Sequence, residues 1–123
     1  MPKEETFPFE NTEVYKKSYE FTKFCREILS VLPKKYYNES DQLKRASLSI
    51  CNNFAEGYGR WHVKDKQQFY AIARGSAYEC VPVISLLHEQ NQINEEDSIK
   101  LRSQIAEITR MLSAMIQGLS KRQ

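Results

Sequence analysis

Residues 43–60 read LKRASLSICNNFAEGYGR, and this stretch decides the fold class. Apolar and small residues recur in it at three- and four-residue steps, at Leu43, Ser47, Ile50 and Phe54. That spacing is typical of one face of an amphipathic helix. A neighbouring face carries short amides, hydroxyls and opposite charges, at Arg45, Ser49, Asn52, Asn53, Glu56 and Arg60. We interpret this second face as a specified polar network, because a merely solvated face usually varies among Lys, Glu and Gln.

Two motifs in the chain resemble those of a known family. Residues 43–60 contain an L-x-R-A-x-x-S-I-x-x-N-x-A-E-G-x-G-R run, and residues 72–79 form an I-A-R-G-S-x-x-E run. In this order they resemble the four helix bundle proteins encoded in intervening sequences of bacterial 23S rRNA genes. The resemblance covers nearly the whole chain and implies a homo-oligomeric, pentameric ring. That family is similar to accessory proteins of diversity-generating retroelements, basic five-fold barrels that bind a reverse transcriptase and nucleic acid.

Composition predicts one small domain. The chain has 123 residues, 41% of them hydrophobic, and a net charge of +2, which identifies no partner by itself. Three cysteines without paired spacing, at 25, 51 and 80, indicate buried thiols in the reducing cytoplasm. The first residues lack the apolar core of a signal peptide, and no apolar run approaches the roughly 20 residues of a membrane span. We therefore expect a single cytoplasmic domain over residues 1–123 that does not enter a membrane.

The apolar period predicts an all-α, antiparallel up-down-up-down four-helix bundle, because short connections between long helices force neighbours to run antiparallel. The predicted helices span residues 11–32, 39–60, 65–91 and 94–119. Pro33 should end the first helix, since proline cannot donate to the helical ladder.

Capping residues should mark the starts of the helices. Asn38 or Ser40 should cap the second helix, and Asp65 with Gln68 should form a capping box on the third. Pro82 should bend the third helix rather than end it, because the apolar period continues beyond it.

A hairpin of the second and third helices would bring their polar faces together. Pairing residues about a turn near His62 predicts an Arg45–Glu79 ion pair and places Ser49 opposite Gly75. Gly75 would then let the second helix approach closely, and Arg74 would serve Glu56 or a neighbouring subunit. The predicted structural polar network comprises Arg45, Ser49, Asn53, Glu56, Arg74 and Glu79.

A second apolar stripe on the third helix favours an oligomer. It consists of Tyr70, Ala77, Val81 and Ile84. A helix that is apolar on two sides usually packs on two partners, and the second partner would be another subunit. The alternative is a thick monomeric core beneath the amino-terminal segment.

Basic residues should gather at one end of the bundle, near the turn between the second and third helices. The candidate nucleic-acid-binding residues are Arg60, Trp61, His62, Lys64, Lys66, Lys121 and Arg122. Tyr58 and Trp61 lie among these cations, and looped or single-stranded RNA requires cations for its phosphates and aromatic surfaces for its bases. The alternative is that Trp61 closes the core at the helix turn.

The sequence contains no catalytic pattern. His62 and His88 fall at opposite ends of the predicted bundle, and no nucleophile–base–orienter set is recognisable. Zinc-type Cys/His spacing and the di-iron E-x-x-H pair are both missing, so we expect no metal, no cofactor and no enzymatic activity. We predict a nucleic-acid-associated oligomer that binds RNA or accompanies a ribonucleoprotein. The alternative is an oligomeric protein-interaction scaffold that binds no nucleic acid.

Overall fold

The computed structural model describes residues 1–121, and within them it contains four long helices and no strand. They are α1 (Glu13–Leu29), α2 (Tyr37–Tyr58), α3 (Val63–Glu89) and α4 (Glu95–Ser120). Short 3-10 segments, Pro8–Asn11 and Lys34–Tyr36, precede α1 and α2. The prediction of an all-α chain with four helices is confirmed.

Helix α1 ends a turn earlier than the apolar period suggested. Its last residue is Leu29, and the Ser30 hydroxyl donates to the carbonyl oxygen of Glu27 at 2.7 Å. Pro33 disfavours the helical conformation for Leu32, the residue before it, so the helix closes before the proline.

Both of the predicted caps are wrong. Neither Asn38 nor Ser40 caps α2, because α2 begins at Tyr37 as a direct continuation of the 3-10 turn. The predicted Asp65–Gln68 capping box is absent, since α3 begins at Val63 after His62, with no side-chain cap. Helix α4 does have a cap: the Asn94 side chain accepts from the backbone N–H of Asp97 at 2.7 Å.

Two contacts show that α3 and α4 run in opposite directions. Arg74 of α3 donates to Ser113 of α4, whereas Arg102, near the start of α4, reaches Ser85, further along α3. Helix α3 also packs on α2, and α1 packs on α2 and α4. Helix α3 continues through Pro82 to Glu89, so this proline does not end the helix.

The core lies between the four helices and contains the whole predicted α2 stripe. Leu43, Ser47, Ile50 and Phe54 are all buried. The Phe54 ring stacks on the Tyr70 ring of α3 with centroids 5.3 Å apart.

The second apolar stripe of α3 belongs to this same core. Tyr70, Ala77 and Ile84 are buried within the single chain, and Val81 is packed against the core. Phe9 of the amino-terminal segment packs against the core, and its ring centroid lies 5.0 Å from that of Tyr15. This stripe therefore gives no argument for a second subunit and agrees with the alternative of a thick core.

The three thiols lie in the core, as the sequence predicted. Cys25, Cys51 and Cys80 are buried and unbridged. Burial raises the pKa of Cys51 and Cys25 and raises the pKa of Cys80 to about 12, since a thiolate loses its hydration there. At neutral pH the thiols are protonated and pack as small apolar groups.

Gly57 is a point of close approach between α2 and α3. A Cβ at this position would lie 2.8 Å from Cε1 of Tyr70 and 2.9 Å from Cβ of Phe69. The expectation that Gly75 serves this purpose is wrong, because a Cβ there would meet nothing within 4 Å. The close approach thus lies beside the turn rather than at mid-helix.

Replacing Gly57 by alanine should destabilise the protein by about 1–3 kcal/mol, because the buried Tyr70 ring and the Phe69 Cβ, which is fixed to the backbone of α3, have little room to move. The free energy of unfolding can be measured in urea by circular dichroism. Gly118→Ala is the matched control, because a Cβ there would meet nothing within 4 Å, and it should be neutral or stabilising by up to about 1 kcal/mol. Equal effects of the two substitutions would contradict the assignment of the close approach to Gly57.

Candidate nucleic-acid interface

The turn between α2 and α3 is held by a lysine that caps α2. The Lys66 ammonium donates to the carbonyl oxygen of Tyr58 at 2.7 Å and, more weakly, to that of Gly57 at 3.4 Å. It also lies 5.5 Å from the centroid of the Tyr58 ring. A cation at a helix C-terminus complements the partial negative charge of the last carbonyls. Lys66 therefore has a structural role in the turn.

Arg60 is also engaged within the chain. Its Nε is 3.2 Å from a carboxylate oxygen of Glu56, one turn earlier on α2. Its guanidinium lies 4.7 Å from the centroid of the Phe69 ring on α3. This distance is typical of a cation–π contact. Arg60 thus fastens the turn to both helices.

Trp61 lies outside the core. Its side chain is 94% exposed, so the alternative prediction that it closes the core is wrong. His62 and Lys64 beside it are exposed as well. The turn thus presents one large aromatic ring among basic side chains.

The end of α4 is fixed beside this turn. The Gln67 amide donates to the carbonyl oxygen of Ile116 at 3.0 Å and to the hydroxyl of Ser120 at 2.7 Å. The exposed Lys121 therefore lies at the same end of the molecule as Trp61. Arg122, the last predicted member of the basic set, lies outside the described residues. The other six predicted residues share this end, which we call the turn surface: Arg60, Trp61, His62, Lys64, Lys66 and Lys121.

A groove at the same end was missed by the sequence reasoning. It encloses about 630 Å³ and is lined by Tyr58, Lys66, Tyr70, Ala114, Met115, Gly118 and Leu119. A Cβ on Gly118 would meet nothing within 4 Å, so the missing side chain leaves this space open. The exposed glycine in α4 was the only signal in the sequence.

Farther from the turn, a hydrogen bond between two hydroxyl groups joins α2 to α3, and an amide on α2 supports it. The hydroxyls of Ser49 and Ser76 are 2.8 Å apart, and the Asn53 amide donates to the carbonyl and hydroxyl oxygens of Ser49, both at 2.9 Å. Ser49 and Asn53 were predicted members of the network, whereas Ser76, their partner across the interface, was missed. Its position in the second motif was the available signal.

The predicted pairing of the charged residues in the network is wrong. Arg45 binds Asp41 on its own helix, with Nε and Oδ2 2.9 Å apart, and its side chain is 81% exposed. The predicted Arg45–Glu79 ion pair does not form, because a carboxylate one turn away on the same helix is the nearer partner.

Arg74 does not bind Glu56 either. Its Nε donates to the hydroxyl of Ser113 on α4 at 2.8 Å, and its guanidinium stacks 4.9 Å from the Tyr78 ring centroid. Arg74 thus joins α3 to α4, and Glu56 binds Arg60 instead.

The fold and the turn surface define a class: an all-α protein of four long helices with an exposed aromatic and basic turn. Within this class, the chain belongs to the 23S rRNA-intervening sequence protein family, whose model matches residues 10–114. The family resemblance of the two sequence motifs is thereby confirmed.

A solved structure supports the same assignment. A protein of unknown function from the S23 ribosomal protein family of Bacteroides thetaiotaomicron VPI-5482 superposes with a TM-score of 0.78 and 26% identity. The match covers 84% of this chain and 97% of that one. No curated protein matches the sequence. Within residues 1–121, no helix is both long and apolar enough to cross a membrane.

The polar contacts predict unequal effects of two substitutions. Ser76→Ala should destabilise the protein by about 1–2 kcal/mol, because it leaves the half-buried Ser49 hydroxyl without its partner across the interface. Arg45→Ala should cost less than about 0.5 kcal/mol, since a solvated ion pair within one helix contributes little. Thermal and urea unfolding of both variants test this ranking. A larger loss for Arg45→Ala than for Ser76→Ala would contradict these roles of the two contacts.

Proposed function

We propose that this chain is a non-enzymatic, nucleic-acid-associated protein that binds structured RNA, or an RNA–protein complex, through the turn surface. The observation that carries the proposal is the exposure of Trp61, 94%, among exposed basic side chains. Nucleic acid offers the matching chemistry, because its phosphates attract cations and its bases stack on aromatic rings. The family's name, which refers to intervening sequences in 23S rRNA, agrees with such a context.

The cations of the turn surface divide into two groups with different roles. Arg60 and Lys66 hold the turn through Glu56 and the carbonyls at the end of α2. Within residues 1–121, Lys64 and Lys121 make no ion pair, and both are exposed. These two lysines are therefore the ones we assign to phosphate.

We further propose that the helices form an up-down-up-down bundle and that copies assemble into a pentameric ring. The supporting observation is the outer surface of α3, where Ile72, Gly75 and Leu86 are exposed. A glycine inside a helix costs about 1 kcal/mol relative to alanine, and Gly75 has no contact within the chain to explain it. A partly apolar helix surface that includes a glycine is suited to close packing against another copy.

The same surface supports the second candidate function, an oligomeric protein-interaction scaffold that binds no nucleic acid. Salt discriminates between the two functions. Phosphate contacts release counterions, so RNA affinity falls steeply as salt rises, whereas an apolar protein interface changes little.

Reversing the two free lysines tests the RNA-binding proposal. The Lys64→Glu, Lys121→Glu double variant should weaken binding of a fluorescent stem-loop RNA by roughly tenfold or more and flatten its salt slope by about 1 per lysine. Fluorescence anisotropy across a salt series measures both quantities. Arg60 and Lys66 are left unchanged, because reversing them would disturb the turn itself.

The control for net charge is the Lys34→Glu, Lys35→Glu double variant, which makes the same charge change near the start of α2. It should leave binding nearly unchanged. Equal weakening by both double variants would assign binding to overall charge rather than to the turn surface. A wild-type protein that binds no RNA at low salt would refute the proposal and leave the scaffold function.

A bulky residue on the outer surface of α3 tests the assembly. Gly75→Trp should shift the oligomer seen by native mass spectrometry towards smaller species, because the indole would hold two copies apart. Gly118→Trp is the control, since Gly118 is also an exposed helical glycine in open space. A monomeric wild-type protein, or an oligomer that survives both substitutions, would contradict this interface.

A further inference from the structure

We infer that Trp61 is a stacking platform for an unpaired nucleobase, so that the turn surface selects single-stranded or looped RNA over duplex RNA. This inference rests on the proposed function and names the substrate class of the same site. It follows from which aromatic and cationic side chains of the turn make contacts within the fold and which are exposed to solvent.

The other aromatic rings near this end are used by the fold. Phe54, Tyr58 and Tyr70 pack against one another, and Phe9 packs on Tyr58. Trp61 takes part in no aromatic pair within residues 1–121 and is 94% exposed. Because the core is closed without it, the indole is available to a ligand on its faces.

The cations alone do not favour an unpaired strand. Lys64 and Lys121 provide two free charges for phosphate in each chain, while Arg60 and Lys66 are engaged. A phosphate contact releases about 0.9 counterions on a B-form duplex but only about 0.7 on a single strand. Electrostatics therefore attracts both forms of RNA, with a slight advantage for the duplex. Any preference for unpaired RNA must come from the exposed ring.

Stacking on Trp61 supplies that preference. The base faces of a duplex are already covered by neighbouring base pairs, and extruding a base requires unpairing and unstacking it. The bases of a loop or single strand are uncovered and stack on aromatic side chains without this cost. Lys64 follows Trp61 by three residues and lies in the first turn of α3. It is therefore near the ring along the chain, where it can bind the phosphate next to a stacked base.

The test uses the full chain and three RNA probes: a single-stranded oligonucleotide, a stem-loop and a blunt duplex without a loop. Trp61 is the only tryptophan in the chain, so its intrinsic fluorescence reports on this site alone. Single-stranded and stem-loop RNA should quench it, and the duplex should not. Anisotropy measures the affinity of each probe for the wild-type protein and its variants.

Three variants separate stacking from charge and folding. Trp61→Ala should weaken single-stranded and stem-loop binding about tenfold and duplex binding by less than about twofold. Trp61→Phe should retain most of the affinity, because its ring still stacks. Tyr37→Ala is the matched control, since Tyr37 is 69% exposed and follows Lys34 and Lys35 in the chain. It should change none of the affinities.

Several outcomes would overturn the inference while leaving the proposed function intact. They are equal wild-type affinity for the three probes, an equal loss on all three in Trp61→Ala, or binding without fluorescence quenching. Displacement of the RNA by polyglutamate of equal charge would assign the site to acidic proteins instead. Failure of the wild-type protein to bind any probe would refute the proposed function itself.

Discussion

The close approach of α2 to α3 at Gly57 is the constraint on which the turn end of the molecule depends. With no side chain at this position, the Tyr70 ring comes within 2.8 Å of where a Cβ would be. That spacing lets Tyr70 stack on Phe54 and bury its ring, and it brings Lys66 within 2.7 Å of the carbonyl oxygen of Tyr58. Packing and capping at this end therefore have a common origin.

The same arrangement determines what the turn leaves in solvent. Arg60 and Lys66 are held by the ends of the helices, and the core is closed by other aromatic rings. Trp61 and Lys64 fall in the short segment after α2 and in the first turn of α3, where no helix covers them. A turn held by these contacts thus carries an exposed ring and an exposed cation, which is the basis of the proposed RNA-binding function.

The sequence predicted the features that depend on periodicity and missed those that depend on side-chain direction. The α2 stripe from Leu43 to Phe54 is buried because a three- and four-residue spacing defines a helix face. The same spacing gives the height of Arg45 along the helix but not its partner, and Asp41 competes one turn away. The spacing also could not distinguish Gly57, which packs closely against α3, from Gly75, which has open space beside it. For Trp61 it left both possibilities open, because exposure of a turn residue depends on how neighbouring helices end.

The most direct test of the central claim is ultraviolet crosslinking of the protein to a single-stranded RNA, followed by mass spectrometry of the crosslinked peptides. Crosslinks in residues 58–66, with Trp61 as the main site, are expected if the turn surface binds RNA. Crosslinks concentrated at the opposite end, around Tyr36 and Tyr37, would contradict this assignment.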